Sequence, residues 1–155
     1  MDKKAQFYLD SYLQTLSPVD RHRYKNFEAY YFCLDEKNAN ICASLVLQGE
    51  KRATASLLWW YEVENEPLPE VGNLSVITNW EGVPQCIIET TSVEVKPFNE
   101  VSPEFAFEEG EGDKSLENWK KDHWKFFSLE CEEIGREPSE EMPVILEKFK
   151  VIYTS

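Results

Sequence analysis

The chain has 155 residues, 42% hydrophobic and 14% aromatic, and a formal net charge of -13. That length fits one domain with a sizeable core, and the aromatic content excludes a disordered chain. No apolar run reaches membrane-spanning length and the N-terminus is charged rather than signal-like, so no membrane partner and a cytoplasmic location are expected.

In chain order, residues 4–16 carry Phe7, Leu9, Tyr12, Leu13 and Leu16 at helical spacing, and Ser17 with Pro18 ends that helix. Residues 21–34 are rich in aromatics without a decisive period. Asn40 is expected to cap a helix through Gln48, with Ile41, Leu45 and Val46 inward and Gly49 as its stop. A new strand is expected to start around Lys51. Leu74, Val76 and Ile77 follow a Val71-Gly72-Asn73 turn, and Trp80 to Pro84 makes a second turn. Cys86 to Val95 is rich in the β-favouring types, and Phe149 to Tyr153 offers a closing strand. Ser102 with Pro103 suggests a short helix start. Ser115 is expected to cap a longer helix through Ile134, stopped by Gly135. The pattern predicts an α+β fold, a small curved sheet or barrel packed by helices.

Cys33, Cys42, Cys86 and Cys131 stand far apart, with His22 and His123 as the two histidines. That spacing argues against a structural zinc site and suits reduced thiols, so no metal and no cofactor are expected. Charge is uneven. Residues 1–54 balance eight Lys/Arg against seven Asp/Glu, whereas residues 98–147 hold five against fifteen. Repulsion from phosphates disfavours broad nucleic-acid binding, and no DNA partner is expected. A small or locally docked ligand stays compatible.

The densest candidate chemistry is Gly49-Glu50-Lys51-Arg52-Ala53-Thr54, a helix stop followed by two cations and a hydroxyl. Cations at a helix end are favoured by the exposed carbonyls alone. The alternative is that Lys51 and Thr54 face a pocket. This run resembles the Gly-x-Lys-x-x-Thr signature of the ASCH domain, a PUA-like fold. Ser56-Leu57-Leu58-Trp59, Pro67-Leu68-Pro69, Ile88-Glu89-Thr90-Thr91, Glu109-Gly110-Glu111-Gly112-Asp113 and His123-Trp124-Lys125-Phe126-Phe127 extend the resemblance to the longer ASCH subgroup. It covers roughly residues 25–154. The expected organisation is an N-terminal helical extension, 1–24, before an ASCH domain, 25–155.

The resemblance implies a β pseudo-barrel (a PUA-like β-barrel) with helices across its ends and a cleft between barrel and helix. It also implies RNA or nucleoside as partner. A short bacterial branch removes the acetyl group from N4-acetylcytidine, and members of the longer branch are linked with ribonuclease activity. The short branch's working lysine and threonine fall on Lys51 and Thr54. Its glutamate falls on Glu111, with Glu109 as the alternative. Ser56 stands where that branch often has an arginine.

Amide hydrolysis needs an activated nucleophile, an oxyanion donor and an acid for the leaving nitrogen. Two roles are open to Lys51. It is a base if burial or Arg52 lowers its pKa, and an electrostatic clamp if a close carboxylate keeps it charged. Tyr61, Ser128 and His123 are candidate helpers for RNA cleavage, although His123 on an aromatic helix face also suits a core role. Trp59, Trp60 and Tyr61 can stack a base or fill the core. The acidic loop 108–113 suits either a hard cation or a solvated turn.

Overall fold

The computed structural model describes residues 1–33 and 35–154. Leu34 and Ser155, which end the aromatic segment and the expected domain, lie outside the described residues. The elements run α1 (Lys3–Leu13), α2 (Pro18–His22), β1 (Phe27–Tyr30), α3 (Glu36–Leu47), β2 (Ala53–Leu57), α4 (Leu58–Glu64), β3 (Leu74–Thr78), β4 (Pro84–Pro97), a 3₁₀ turn, α5 (Pro103–Glu109), α6 (Leu116–Ile134) and β5 (Pro143–Tyr153). The class is α+β. The five strands follow the order β1-β3-β4-β5-β2, which ends on β1 and β2 without closing. No helix among the described residues is long and apolar enough to cross a membrane.

The chain forms two compact units. The first comprises Met1–Glu50, Glu70–Thr91 and Phe149–Ser155, and the second Lys51–Pro69 and Ser92–Lys148. In the first, β1 pairs parallel with β3, and β3 pairs antiparallel with β4. All five residues of β3 are buried. Their alternation feeds two cores: Leu74, Val76 and Ile87 meet Ala5, Leu9 and Tyr12 of α1, while Ile77, Cys86 and Ile88 meet Cys42, Ala43 and Val46 of α3. Phe7, expected on the inward face of α1, is 76% exposed. Ala5, Leu9 and Tyr12 already define a stripe at i, i+4 and i+7, and Phe7 sits nearly opposite it.

The α3 helix begins four residues before its expected cap. The Asp35 carboxylate accepts from the Asn38 N–H at 2.9 Å, whereas the Asn40 side chain accepts from the Trp80 N–H. The earlier start goes with a buried face of Ala39, Cys42, Ala43 and Val46, and it leaves Ile41 exposed, against expectation. At the far end Gly49 adopts a φ of 77°. The Glu50 N–H donates to the Leu45 carbonyl and the Gly49 N–H to that of Val46, a glycine-terminated helix as expected.

In the second unit, β2 pairs antiparallel with β5, Ala53 opposite Lys148 and Leu57 opposite Val144. Ala53, Ala55 and Leu57 pack with Phe98, Phe105, Trp119, Phe127, Cys131 and Val144. Residues 58–64 are helical, so Trp59, Trp60 and Tyr61 stand on α4 rather than on a strand. Ser115 caps α6 by accepting from the Asn118 N–H, and Gly135 ends it with a φ of 74°, both as expected.

Candidate active site

Every candidate residue singled out in the sequence lies in the second unit. Lys51 precedes β2, and its side chain is 1% exposed. Its Nζ donates to the Ala53 carbonyl at 2.9 Å and to Glu111 Oε2 at 2.8 Å. Isolated burial of an ammonium is costly, and two acceptors within hydrogen-bond reach are what makes this placement tolerable. The Glu111 side chain keeps 32% of its surface, so this carboxylate bridges a buried cation and solvent.

The segment 108–113 distributes four acids to four different partners. Glu108 meets Lys148 Nζ at 3.2 Å, Glu109 meets His123 Nε2 at 3.0 Å, and Glu111 meets Lys51. Asp113 accepts from both the N–H and the hydroxyl of Ser115, and these bonds hold its carboxyl below the usual range. Gly110 makes this wiring geometrically attainable. It ends α5 at a φ of 71°, turning the chain between Glu109 and Glu111 so that neighbouring acids reach different targets.

Glu109 is the most enclosed of these acids, 1% exposed. Burial opposes its charge. The positive charges of His123 and Lys51 outweigh that and hold its carboxyl below the ordinary 4.5. His123 is the mirror case. Burial opposes its charge, yet Glu109, Glu111 and the Trp119 carbonyl raise it above 6.5. Its Nδ1 lies 2.9 Å from the Trp119 carbonyl, which can only accept, and its ring stacks on the Trp119 indole at 4.0 Å. Neither Glu109 oxygen makes a hydrogen bond of good geometry, so its contact with His123 is an ion pair rather than an aligned bond. Glu111, Lys51, Glu109 and His123 thus form a cluster in which carboxylates alternate with basic side chains.

The other candidates lie on or beside β2, α4 and α6. Thr54 and Ser56 alternate along β2 with the core residues Ala53, Ala55 and Leu57, and the described hydrogen bonds include none from the Thr54 hydroxyl. Glu147 lies directly opposite Thr54 on β5, a carboxylate neighbour that sequence reading missed because the β2–β5 register is not legible in either segment. Arg52 is exposed. Its N–H donates to the Glu108 carbonyl at 2.7 Å, and it lines an open depression of about 400 Å3 with Pro103, Glu104, Phe107 and Glu108. Trp59 packs on the core, with the Arg136 guanidinium 4.8 Å above its ring, and Trp60 meets Tyr61 edge to face. Ser128 Oγ on α6 is buried without a hydrogen-bond partner.

A helix-flanked mixed sheet whose second unit buries a lysine against a loop carboxylate is the class these observations define. The chain belongs to the ASCH domain family, whose sequence profile matches residues 28–153. An ASCH domain from Lactobacillus crispatus is 52% identical and superposes with a TM-score of 0.95 over 99% of this chain and 96% of its own. A protein of Enterococcus faecalis is 29% identical, with a TM-score of 0.82 over 98% and 90%. An ASCH protein of Zymomonas mobilis, 11% identical with a TM-score of 0.50 over 85% and 73%, shares the fold alone. No functionally curated protein matches the chain.

Proposed function

We propose that this ASCH-domain protein binds a nucleoside, nucleotide or RNA segment and hydrolyses an acylated, N4-acetylcytidine-like nucleoside amide at Lys51 and Glu111. The observation that carries this reading is the 2.8 Å pair between a buried amine and a carboxylate that still reaches solvent. A lysine held by a carboxylate acts as a cation, so the clamp role suits Lys51 and the proton-handling role falls to Glu111. Glu111 takes a proton from water as the water oxygen attacks the acyl carbon. Lys51 stabilises the negative charge that develops there. The C–N bond then breaks, the proton passes from Glu111 to the departing exocyclic nitrogen, and acetate and cytidine result. Thr54, three residues along from Lys51, supplies a hydroxyl to hold the substrate.

Non-catalytic binding of single-stranded RNA is the second reading. It is favoured by the depression beside Arg52, where the Phe107 ring is 53% exposed with Lys114 Nζ 5.2 Å above it. Phosphodiester cleavage has less support, because both ring nitrogens of His123 are already engaged.

Incubation with N4-acetylcytidine tests the proposal by chromatography of released cytidine. Release by the wild type, reduced about 100-fold or more in Glu111→Gln and Lys51→Met with folding intact, is the expected outcome. No release at high enzyme concentration overturns the hydrolytic reading. Salt-sensitive oligonucleotide binding without turnover then selects the binding module.

A further inference from the structure

The first unit contains a pair of thiols that the proposed chemistry does not use. Cys33 follows β1 and is half-buried, Cys42 is buried on α3, and neither is disulfide-bonded. Their Sγ atoms lie 3.3 Å apart. Cys33 has a φ of 71°, a left-handed conformation that a non-glycine residue rarely adopts. Beside it, Phe32 packs with Phe149 in the core that also contains Cys42. Phe32, the residue before Cys33, and Cys42 thus share one packed core.

We propose that Cys33 and Cys42 form an oxidisable dithiol, a modification site that hydroperoxides convert to an intramolecular disulfide. The more accessible Cys33 sulfur, as thiolate, attacks one peroxide oxygen. The O–O bond breaks, leaving a sulfenic acid on Cys33 and, with hydrogen peroxide as the hydroperoxide, one molecule of water. The Cys42 sulfur then attacks the Cys33 sulfur, forming the S–S bond and releasing the sulfenic oxygen as a second water. The two sulfurs lose two electrons in all, the peroxide gains them, and the two thiol protons leave in the two waters. Contact distance makes the second step intramolecular, which favours it over further oxidation of Cys33. The remaining cysteines serve as internal controls. Burial pushes the Cys86 thiol up to about 12 and also raises that of Cys131, which disfavours the thiolate at both.

The test treats the native full-length chain with hydrogen peroxide, alkylates the remaining thiols and measures intact mass and tryptic peptides. The expected result is loss of two of the four thiols and a cross-link between peptides 26–37 and 38–51, reversed by dithiothreitol. Cys33→Ser should abolish the link and keep its three thiols, Cys42→Ala should abolish the link and leave Cys33 trapped as a sulfenic acid or its further oxidation products, and Cys86→Ala should leave the link intact. Having a partner variant on the half-buried residue covers the case in which replacing buried Cys42 perturbs folding. The proposal is overturned by four retained thiols, by sulfinic or sulfonic Cys33 without the link, by a link to Cys86, or by disulfide-joined dimers.

Discussion

The two units bury different kinds of side chain. Among the described residues, the buried polar ones in the first are Ser75, Thr78 and Thr90, all neutral; in the second they are Lys51 and Glu109, both ionisable. The first unit is built as a packing problem, with an all-buried strand sandwiched between apolar helix faces. The second retains charges that hydrophobic residues of similar volume could replace, often without loss of stability. Buried ionisable groups of this kind cluster at functional sites, which points to a role in binding or chemistry.

The contrast predicts different responses to perturbation. Phe149→Ala removes a 5% exposed ring from the first unit's core and should cost about 3–5 kcal/mol in urea denaturation, with little dependence on pH. Lys51→Met should cost about 3 kcal/mol at neutral pH, because it leaves the enclosed Glu109 without one of its two compensating cations. Glu111→Gln should cost less, since the glutamine keeps an acceptor oxygen for Lys51 Nζ and Glu109 still opposes the buried ammonium charge. Equal stability losses in the two lysine-cluster variants would erase the distinction drawn between the acids.

The same contrast sets the pH dependence. Glu109 is held below 4.5 in the folded chain, so its contribution is present above that value and is lost as pH falls through the lowered folded value. His123 is held above 6.5, so its contribution is full below that value and is lost as pH rises through the raised folded value. Wild-type stability should therefore hold between those limits and fall on either side. In Glu109→Gln the strongest influence raising His123 is gone and burial dominates, so NMR titration should find the imidazole proton released at lower pH than in the wild type. An unchanged titration would show that the ion pair does not control His123.

The smallest predicted difference concerns two turns. Gly82 has a φ of 83° with open space around it, so Gly82→Ala in the first unit should cost about 1–2 kcal/mol from backbone strain alone. Gly112 has a φ of 59°, and an added Cβ would run into the Asn118 side-chain amide. That amide is the end of a side chain that can swing away, and 59° lies near the left-handed minimum, so Gly112→Ala should cost no more than its counterpart, read as an equal or smaller drop in the urea midpoint.

Much of the local structure was legible. Gly49, Ser115 and Gly135 announce helix ends because a left-handed cap or a side-chain cap is a local requirement. Lys51 stood out for the same reason, being placed directly after such an end. Asp35 was missed as a cap because Asn40, an equally good capping residue, lies within the same polar stretch. Its amide turned out to serve the Trp80 N–H, forty residues away. The α4 helix was missed because aromatic residues favour strands in isolation, and its stability comes from packing Trp59 and Trp60 on the core.

The site divides along the same line. Sequence alone established the residue types, the glycine-punctuated acidic loop and the membership that Gly49 to Thr54 signals. Tertiary structure alone decided that Glu111 reaches Lys51 across sixty positions while Glu109, two residues away, turns to His123. The physical reason is that capping and turning are governed by neighbours in the chain. Pairing of buried charges depends on which groups folding removes from water together.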